Sequence, residues 1–247
     1  MWSPDQYEKF KAERQQPFHD LVALIEKRPR MRVVDLGCGT GELTRELHVA
    51  LDARETVGID NSETMLLKAG SFGGEMLHFQ RNRIEAFVTD EPYDLIFSNA
   101  ALHWVPDHEQ LLVRLTNVLS ASGQLAIQMP ANDDHPSHVI AARVAQQFGA
   151  DSRPDFVLPP ERYAQLLHRL GYKQQHVRLH VYGHLLPATG EVVEWVRGAL
   201  LTHYEAAMSK DTFAEFLEVY RRELIAALGE ERPFFYTYKR VLVWGTF

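Results

Sequence analysis

A single cysteine, Cys38, stands in a chain of 247 residues. That excludes an intrachain disulfide framework, and its place between two glycines makes packing, not nucleophilic chemistry, its expected role. No apolar run reaches the roughly 18 to 20 residues needed to cross a bilayer. The opening residues Met1-Trp2-Ser3-Pro4-Asp5-Gln6 lack the basic-then-apolar layout of a signal peptide, so a cytoplasmic location with no membrane partner is expected. An excess of positive charge is missing too. With 26 Lys and Arg against 33 Asp and Glu, the net charge of −7 argues against a broad footprint for nucleic acid and makes a small molecule the expected partner. The twelve histidines include no His-Glu-X-X-His pair, and one cysteine cannot build a thiolate cage, so no metal site is expected. Fixed-period repeats and low-complexity tracts are absent, and no feature fixes an oligomeric state.

What is present is an alternation. A hydrophobic content of 45% over this length suits one α/β domain with an added lobe. Helical spacing of Tyr7, Phe10 and Arg14, then of Phe18, Leu21, Val22 and Ile25, predicts helices before the first strand, with Pro17 breaking the segment in two. Strands are expected at 31–36, 55–60, 76–81, 93–98 and 124–129, with helices at 43–51, 62–69 and 107–119 between them. Strands and helices at this spacing imply a parallel sheet, because right-handed crossovers place a helix between neighbouring strands. After Pro130 helices are expected near 136–148, 160–170, 190–207 and 210–228, with strands at 172–184 and 234–244. The chain thus reads as a single domain: a helical cap over 1–30, a ligand-binding core over 31–130, and substrate-side helices with closing strands over 131–247.

The chemistry concentrates in Val33-Val34-Asp35-Leu36-Gly37-Cys38-Gly39-Thr40-Gly41, where a strand passes into a helix. Glycines there permit positive φ angles and close approach of a ligand to the backbone. A dinucleotide loop places its third glycine three positions after the second, whereas Gly41 follows Gly39 by two. The acidic Asp35 also lies inside the motif. A pyrophosphate is drawn to a helix N-terminus, but S-adenosylmethionine carries an ammonium and a sulfonium, which a carboxylate at Asp35 suits. Asp60 ends the next strand about 20 residues on, the offset at which a carboxylate accepts hydrogen bonds from ribose. The alternative is that the glycines only shape a turn and Asp60 caps the helix starting near Ser62.

At these residues the sequence resembles the class I S-adenosylmethionine-dependent methyltransferases. The resemblance implies a Rossmann-like fold, with a seven-stranded, mostly parallel sheet, N-terminal helices and a helical C-terminal lobe. It implies S-adenosyl-L-methionine as cofactor, held by Asp35, Gly37, Cys38, Gly39 and Gly41 at the methionine end and by Asp60 with Asn61 at the ribose. Asn82 and Ile84 would flank adenine, and Asn99 would lie beside the cofactor. Many relatives carry an acidic residue near position 83 for the adenine amino group, where this chain has Arg83. By the same resemblance Asn99 to Trp104 lie beside the transferring methyl, with His103 and Trp104 in a positioning role and no general base. Trp104 as a core cap and His103 as a surface residue is the competing reading.

Trp2 to Tyr7, Phe10 to Arg14, Pro17, Ser98 to His108 and Gln128-Met129-Pro130 together look like the trans-aconitate methyltransferase branch of that family. This branch esterifies a carboxylate of a small tricarboxylic acid. The resemblance implies a small-molecule acid as substrate, with Tyr7, Arg14, Arg197, Tyr204, Lys239 and Arg240 as candidate substrate contacts. After Glu194-Trp195-Val196 relatives carry a Leu-Arg-Pro turn, and this chain has Leu201-Thr202-His203-Tyr204. Alternatives left open are a fatty or acyl-chain carboxylate, a hydroxyl or amine acceptor, and a non-catalytic cofactor-binding partner protein.

Overall fold

Strands that are apolar on both faces are stable only inside a sheet covered on both sides. β1 (Arg32–Leu36), β2 (Glu55–Asp60) and β4 (Tyr93–Asn99), each with four or more consecutive buried or nearly buried residues, occupy such places. In the computed structural model, which describes residues 11–247 and side chains from residue 15 onward, they join β3 (Leu77–Arg81), β5 (Leu119–Pro130), β6 (Gln174–Leu186) and β7 (Phe234–Thr246). The seven strands form one sheet in the order β3-β2-β1-β4-β5-β7-β6. Strands β1 to β5 pair in parallel, and β7 pairs antiparallel with β5. The expected Rossmann-like, mostly parallel sheet is the one found.

The helices are α1 (Lys11–Val22), α2 (Glu42–Leu51), α3 (Glu63–Ala69), α4 (His108–Asn117), α5 (Pro136–Gln147), α6 (Pro160–Arg169), α7 (Glu191–Arg197), α8 (Leu200–Ala207) and α9 (Lys210–Leu228). Residues Gln16–Pro130, Phe156–His180 and Arg240–Phe247 form one compact unit, and Ala131–Asp155 with Val181–Lys239 belong to a second. In the first, Phe18, Leu21, Leu47, Leu51, Leu95, Phe97 and Trp244 make a continuous core on one sheet face. In the second, α5, α7, α8 and α9 bury Ile140, Val144, Val192, Trp195, Leu201, Phe216 and Tyr220 together.

Three expectations about elements need correction. Pro17 does not split the first helix, since α1 runs through it. A proline inside a helix costs about 3 kcal/mol. Phe18 and Leu21, 1% and 0% exposed, each return about 1.5 to 3 kcal/mol of burial, enough to hold the helix across it. The helix expected over 190–207 is two helices. Ala199 leaves helical geometry and the Thr202 hydroxyl donates to its carbonyl, which re-phases the chain so that Leu200, Leu201 and Tyr204 join the core of Val192 and Trp195. β5 starts at Leu119, five residues before the expected strand, because Leu119 already pairs with Tyr93 of β4 ahead of the regular ladder that begins at Gln124. The N-terminal part of the expected cap, with Tyr7, lies outside the described residues.

Candidate active site

The site is assembled at the carboxyl ends of β1, β2 and β4, where an open α/β sheet presents its loops. Past Leu36 the chain turns through Gly37, Gly39 and Gly41, with φ of 80°, 56° and 78°. A side chain on Gly37 would collide with Cβ of Ala101, so the two loops meet there backbone to methyl. A Cβ on Gly39 would meet nothing within 4 Å, which leaves open space over this part of the loop. The amides of Gly37 and Cys38 both donate to the Ile59 carbonyl, at 2.8 and 2.9 Å. The ring of Phe79 lies under Gly41 and Gly58 and forms the floor.

Two carboxylates act on this loop differently. Asp60 accepts from the Gly39 amide at 2.9 Å and, through its other oxygen, from the Ser62 amide at 2.8 Å. The cap of α3 is the Ser62 hydroxyl, which accepts from Met65. Asp35 is 4% exposed; its Oδ2 takes a 2.6 Å hydrogen bond from the Thr44 hydroxyl, while its Oδ1 is buried with no partner among the described residues. Burial pushes its carboxyl up to about 7, Thr44 partly opposes that, and the nearby charge of Asp60 adds to it. A buried, half-satisfied carboxylate is costly unless a cation comes to it. Together with the open space over Gly39, it fits a ligand with a positively charged end.

Asn82 follows β3 with its amide on the Asp60 carbonyl at 3.0 Å, and Ile84 reaches to 3.7 Å of where a Gly37 side chain would begin. The Arg83 guanidinium turns to solvent and pairs with Glu85 at 3.2 Å. Asn61 is exposed. Cys38 is buried, and burial with the charges of Asp35 and Asp60 raises its thiol far above the usual range, consistent with packing.

The β4 end supplies the other wall. Asn99 is half-buried, Ala100 adopts φ 53°, and Leu102–Trp104 form a 3-10 turn. His103 is 8% exposed and Trp104 48%, their rings 4.8 Å apart. The competing reading of a surface His103 and a core-capping Trp104 therefore does not hold: the turn directs the imidazole inward and leaves the indole half-exposed. Beneath, His108 bonds the Leu102 carbonyl through Nε2 at 2.9 Å and the Tyr163 hydroxyl through Nδ1. Tyr163 in turn accepts the Leu158 amide at 3.0 Å.

Sequence reasoning brought Asp35, Gly37, Cys38, Gly39, Gly41, Asp60, Asn82, Ile84 and Asn99 to the ends of adjacent strands, where the structure has them. It missed Thr44, Phe79, Gln128 and the His108–Tyr163 pair. Thr44 on the apolar face of α2 and Gln128 inside the run Leu125 to Met129 were visible signals, since a polar residue at a core position implies a buried partner. The candidate substrate cations are differently placed. Arg240, 8% exposed, donates to Gln128; Lys239 is paired with both oxygens of Asp134; Arg197, 41% exposed, lies 3.7 Å from Glu194. Tyr204 is buried and its hydroxyl takes the Arg153 amide, with burial raising its pKa. The side chain of Arg14, like Tyr7, lies outside the described residues.

A sheet of this order with a glycine-rich turn after β1 is the arrangement of the class I S-adenosylmethionine-dependent methyltransferases. A family model described as a methyltransferase domain matches residues 27–165. The chain is 40% identical to the trans-aconitate 2-methyltransferase of Deinococcus radiodurans, over 99% of this chain and 98% of that one. It is 36% identical to the trans-aconitate 2-methyltransferase of Variovorax paradoxus, covering 90% and 88%. The chain belongs to the trans-aconitate 2-methyltransferase family, and its cofactor is S-adenosyl-L-methionine. The fold is shared with the YcgJ protein of Bacillus subtilis, at a TM-score of 0.64 and 16% identity over 94% of this chain and 98% of that one. Among the described residues no helix is long and apolar enough to cross a membrane, and no cluster of three or more His, Cys, Asp or Glu is placed to hold a metal.

Proposed function

We propose that this enzyme methylates a carboxylate of trans-aconitate, or of a closely similar small polycarboxylic acid, to give a methyl ester, and that it does so in the cytoplasm. The observation that carries the reading is 40% identity along essentially the whole of both chains to a relative with that name.

Asp35 and the Gly37 to Gly41 loop would hold the cationic methionine end of the cofactor, Asp60 with Asn61 would accept from the ribose, and Asn82 and Ile84 would border the adenine. The orphaned Asp35 oxygen and the open face of Gly39 support this assignment. When bound, the cofactor supplies a sulfonium methyl group open to in-line displacement by an acceptor oxygen. The acceptor carboxylate is ionised at neutral pH, so no residue has to remove a proton. The protein's work is alignment and exclusion of water, for which the half-exposed Trp104 and buried His103 are suited. The remaining carboxylates of the acid require cations, and guanidinium forks hold them best. Arg197, with one long contact to Glu194, and Arg14 are the proposed partners, and Lys239 takes part by exchanging Asp134 for substrate.

The test is product identification by mass spectrometry with S-adenosylmethionine and a panel of di- and tricarboxylates, fatty acids, alcohols and amines. Preferred turnover of trans-aconitate, weakening as salt rises, is the expected result, because a chain of net charge −7 attracts a polyanion only through local cations. Preference for an uncharged or long-chain acceptor would overturn the substrate reading and leave the methyltransferase class intact.

A further inference from the structure

Three polar side chains form a line below the end of β4. Nη1 of Arg240 lies 3.0 Å from Oε1 of Gln128, and Nε2 of Gln128 lies 2.7 Å from Oδ1 of Asn99. Arg240 and Gln128 are buried, at 8% and 0% exposure, while Asn99 is half-buried at the rim. β5 and β7 hold the line in place, since Gln128 pairs with Leu242 and with Asn99 across the sheet, and the Ala100 amide donates to the Gln128 carbonyl at 2.9 Å.

The direction of this line is fixed at its buried end. A guanidinium has donors and no acceptor, so the atom of Gln128 that faces it must be the oxygen. The amide nitrogen of Gln128 is then the atom turned to Asn99, and it can only donate. Asn99 must answer with its own oxygen, and its NH2 group is left as the free end. No described residue accepts from that Nδ2. An asparagine amide by itself reads as donor or acceptor equally well; Arg240, acting through Gln128, makes this one a donor. Ala100, held at φ 53° beside it, and Ala101, packed on Gly37, place that donor next to the cofactor loop.

We infer that Asn99 is a catalytic residue whose Nδ2 donates to the acceptor carboxylate, and that Gln128 and Arg240 are positioning residues that set its polarity. This rests on the carboxylate-methylation reading above. A carboxylate accepts hydrogen bonds and offers none, so only a donor at this position holds one of its oxygens while the other meets the methyl group. The arrangement also selects: an amine or hydroxyl acceptor, which needs its proton drawn away, finds no acceptor atom at Asn99.

The experiment compares wild type, Asn99→Ala and Gln128→Glu. Gln128→Glu keeps the size of the side chain and its acceptance from Arg240, but the new carboxylate cannot donate, so Asn99 must rotate and turn its oxygen to the acceptor. Both variants should keep their thermal midpoints and bind S-adenosylhomocysteine within about threefold of wild type by calorimetry. Their kcat/KM for the acid acceptor should fall by about tenfold to a hundredfold, the range for a lost hydrogen bond to a charged group, with kcat lowered as well as KM raised. Gln128→Glu with acceptor kinetics within twofold of wild type overturns the inference. So does a loss of cofactor affinity that accounts for the whole effect, which would make Asn99 a cofactor contact. A wild type that methylates amines or hydroxyls but no carboxylate sinks the substrate reading itself, and the donor role with it.

Discussion

The Gly39 amide sits 2.9 Å from Oδ2 of Asp60, which ties the glycine-rich loop to the end of the neighbouring strand across 21 residues of sequence. The same carboxylate holds the Ser62 amide, so it shapes the loop and the start of α3 together. Asp60→Ala is expected to weaken S-adenosylmethionine binding by about 1 to 3 kcal/mol, through the loosened loop and the lost acceptor for ribose. Asp60→Asn, whose one oxygen serves only one amide, should fall between. Calorimetry on a folded Asp60→Ala protein with unchanged affinity would remove Asp60 from the site.

With Asp35 in its proposed place at the cationic end of the cofactor, cofactor binding is expected to depend on pH. The Asp35 carboxyl is raised to about 7, so below that pH it is largely protonated in the free protein and must lose the proton to meet a cation. Affinity should rise by up to tenfold per pH unit as the pH approaches 7 from below, then flatten, with proton release visible in buffers of different ionisation enthalpy. For the free protein the sign is opposite. A carboxyl raised on folding makes the native state hold more protons between about pH 4 and 7, so stability falls as pH rises through that window. Asp35→Asn should flatten both profiles relative to wild type and weaken binding at pH 8; an unchanged pH profile of affinity would refute the role.

A methyl group on Gly37 meets Ala101, and Gly37 is also held at positive φ. Gly37→Ala should therefore cost about 1 to 2 kcal/mol of backbone strain plus about 1 to 3 kcal/mol of overpacking. Ala101→Gly in the same chain should recover the packing part and leave the strain. Denaturant unfolding of the four proteins measures this; no recovery in the double variant would mean the loops do not meet as described.

His108 links the Leu102 carbonyl to the Tyr163 hydroxyl, 55 residues away in sequence. His108→Leu leaves both groups buried without that partner and should lower stability by about 2 to 4 kcal/mol, with Tyr163→Phe costing less. A double-mutant cycle should give a coupling of about 0.5 to 3 kcal/mol. Because the pair supports the turn carrying His103 and Trp104, acceptor turnover should fall further than cofactor affinity. Equal losses in both would reduce the pair to general support.

Local pattern made most of the sheet legible. Strands β1, β2 and β4 are short, largely apolar runs, β1 running into Gly37 and β2 ending on Asp60, and their boundaries in the sequence and the fold differ by a residue or less. The glycine loop, Asp35 and Asp60 were readable for the same reason, since spacing within one strand-turn-helix unit fixes where they fall. Elements whose limits depend on burial elsewhere were not: α1 crosses Pro17 because Phe18 meets Phe97, and the break between α7 and α8 serves a core shared with α5 and α9.

The sequence by itself determined the fold class, the glycine-rich turn after β1 and the family, because these rest on residue types at short, fixed separations. Only the tertiary structure decided the charge and polarity of the groups in the site. The raised carboxyl of Asp35 is a property of its burial beside Thr44. The free end of Asn99 is set by Gln128, 29 residues away, and by Arg240, 112 residues beyond that. Desolvation and hydrogen-bond direction depend on which atoms face each other once the chain has closed, and no local pattern carries that information.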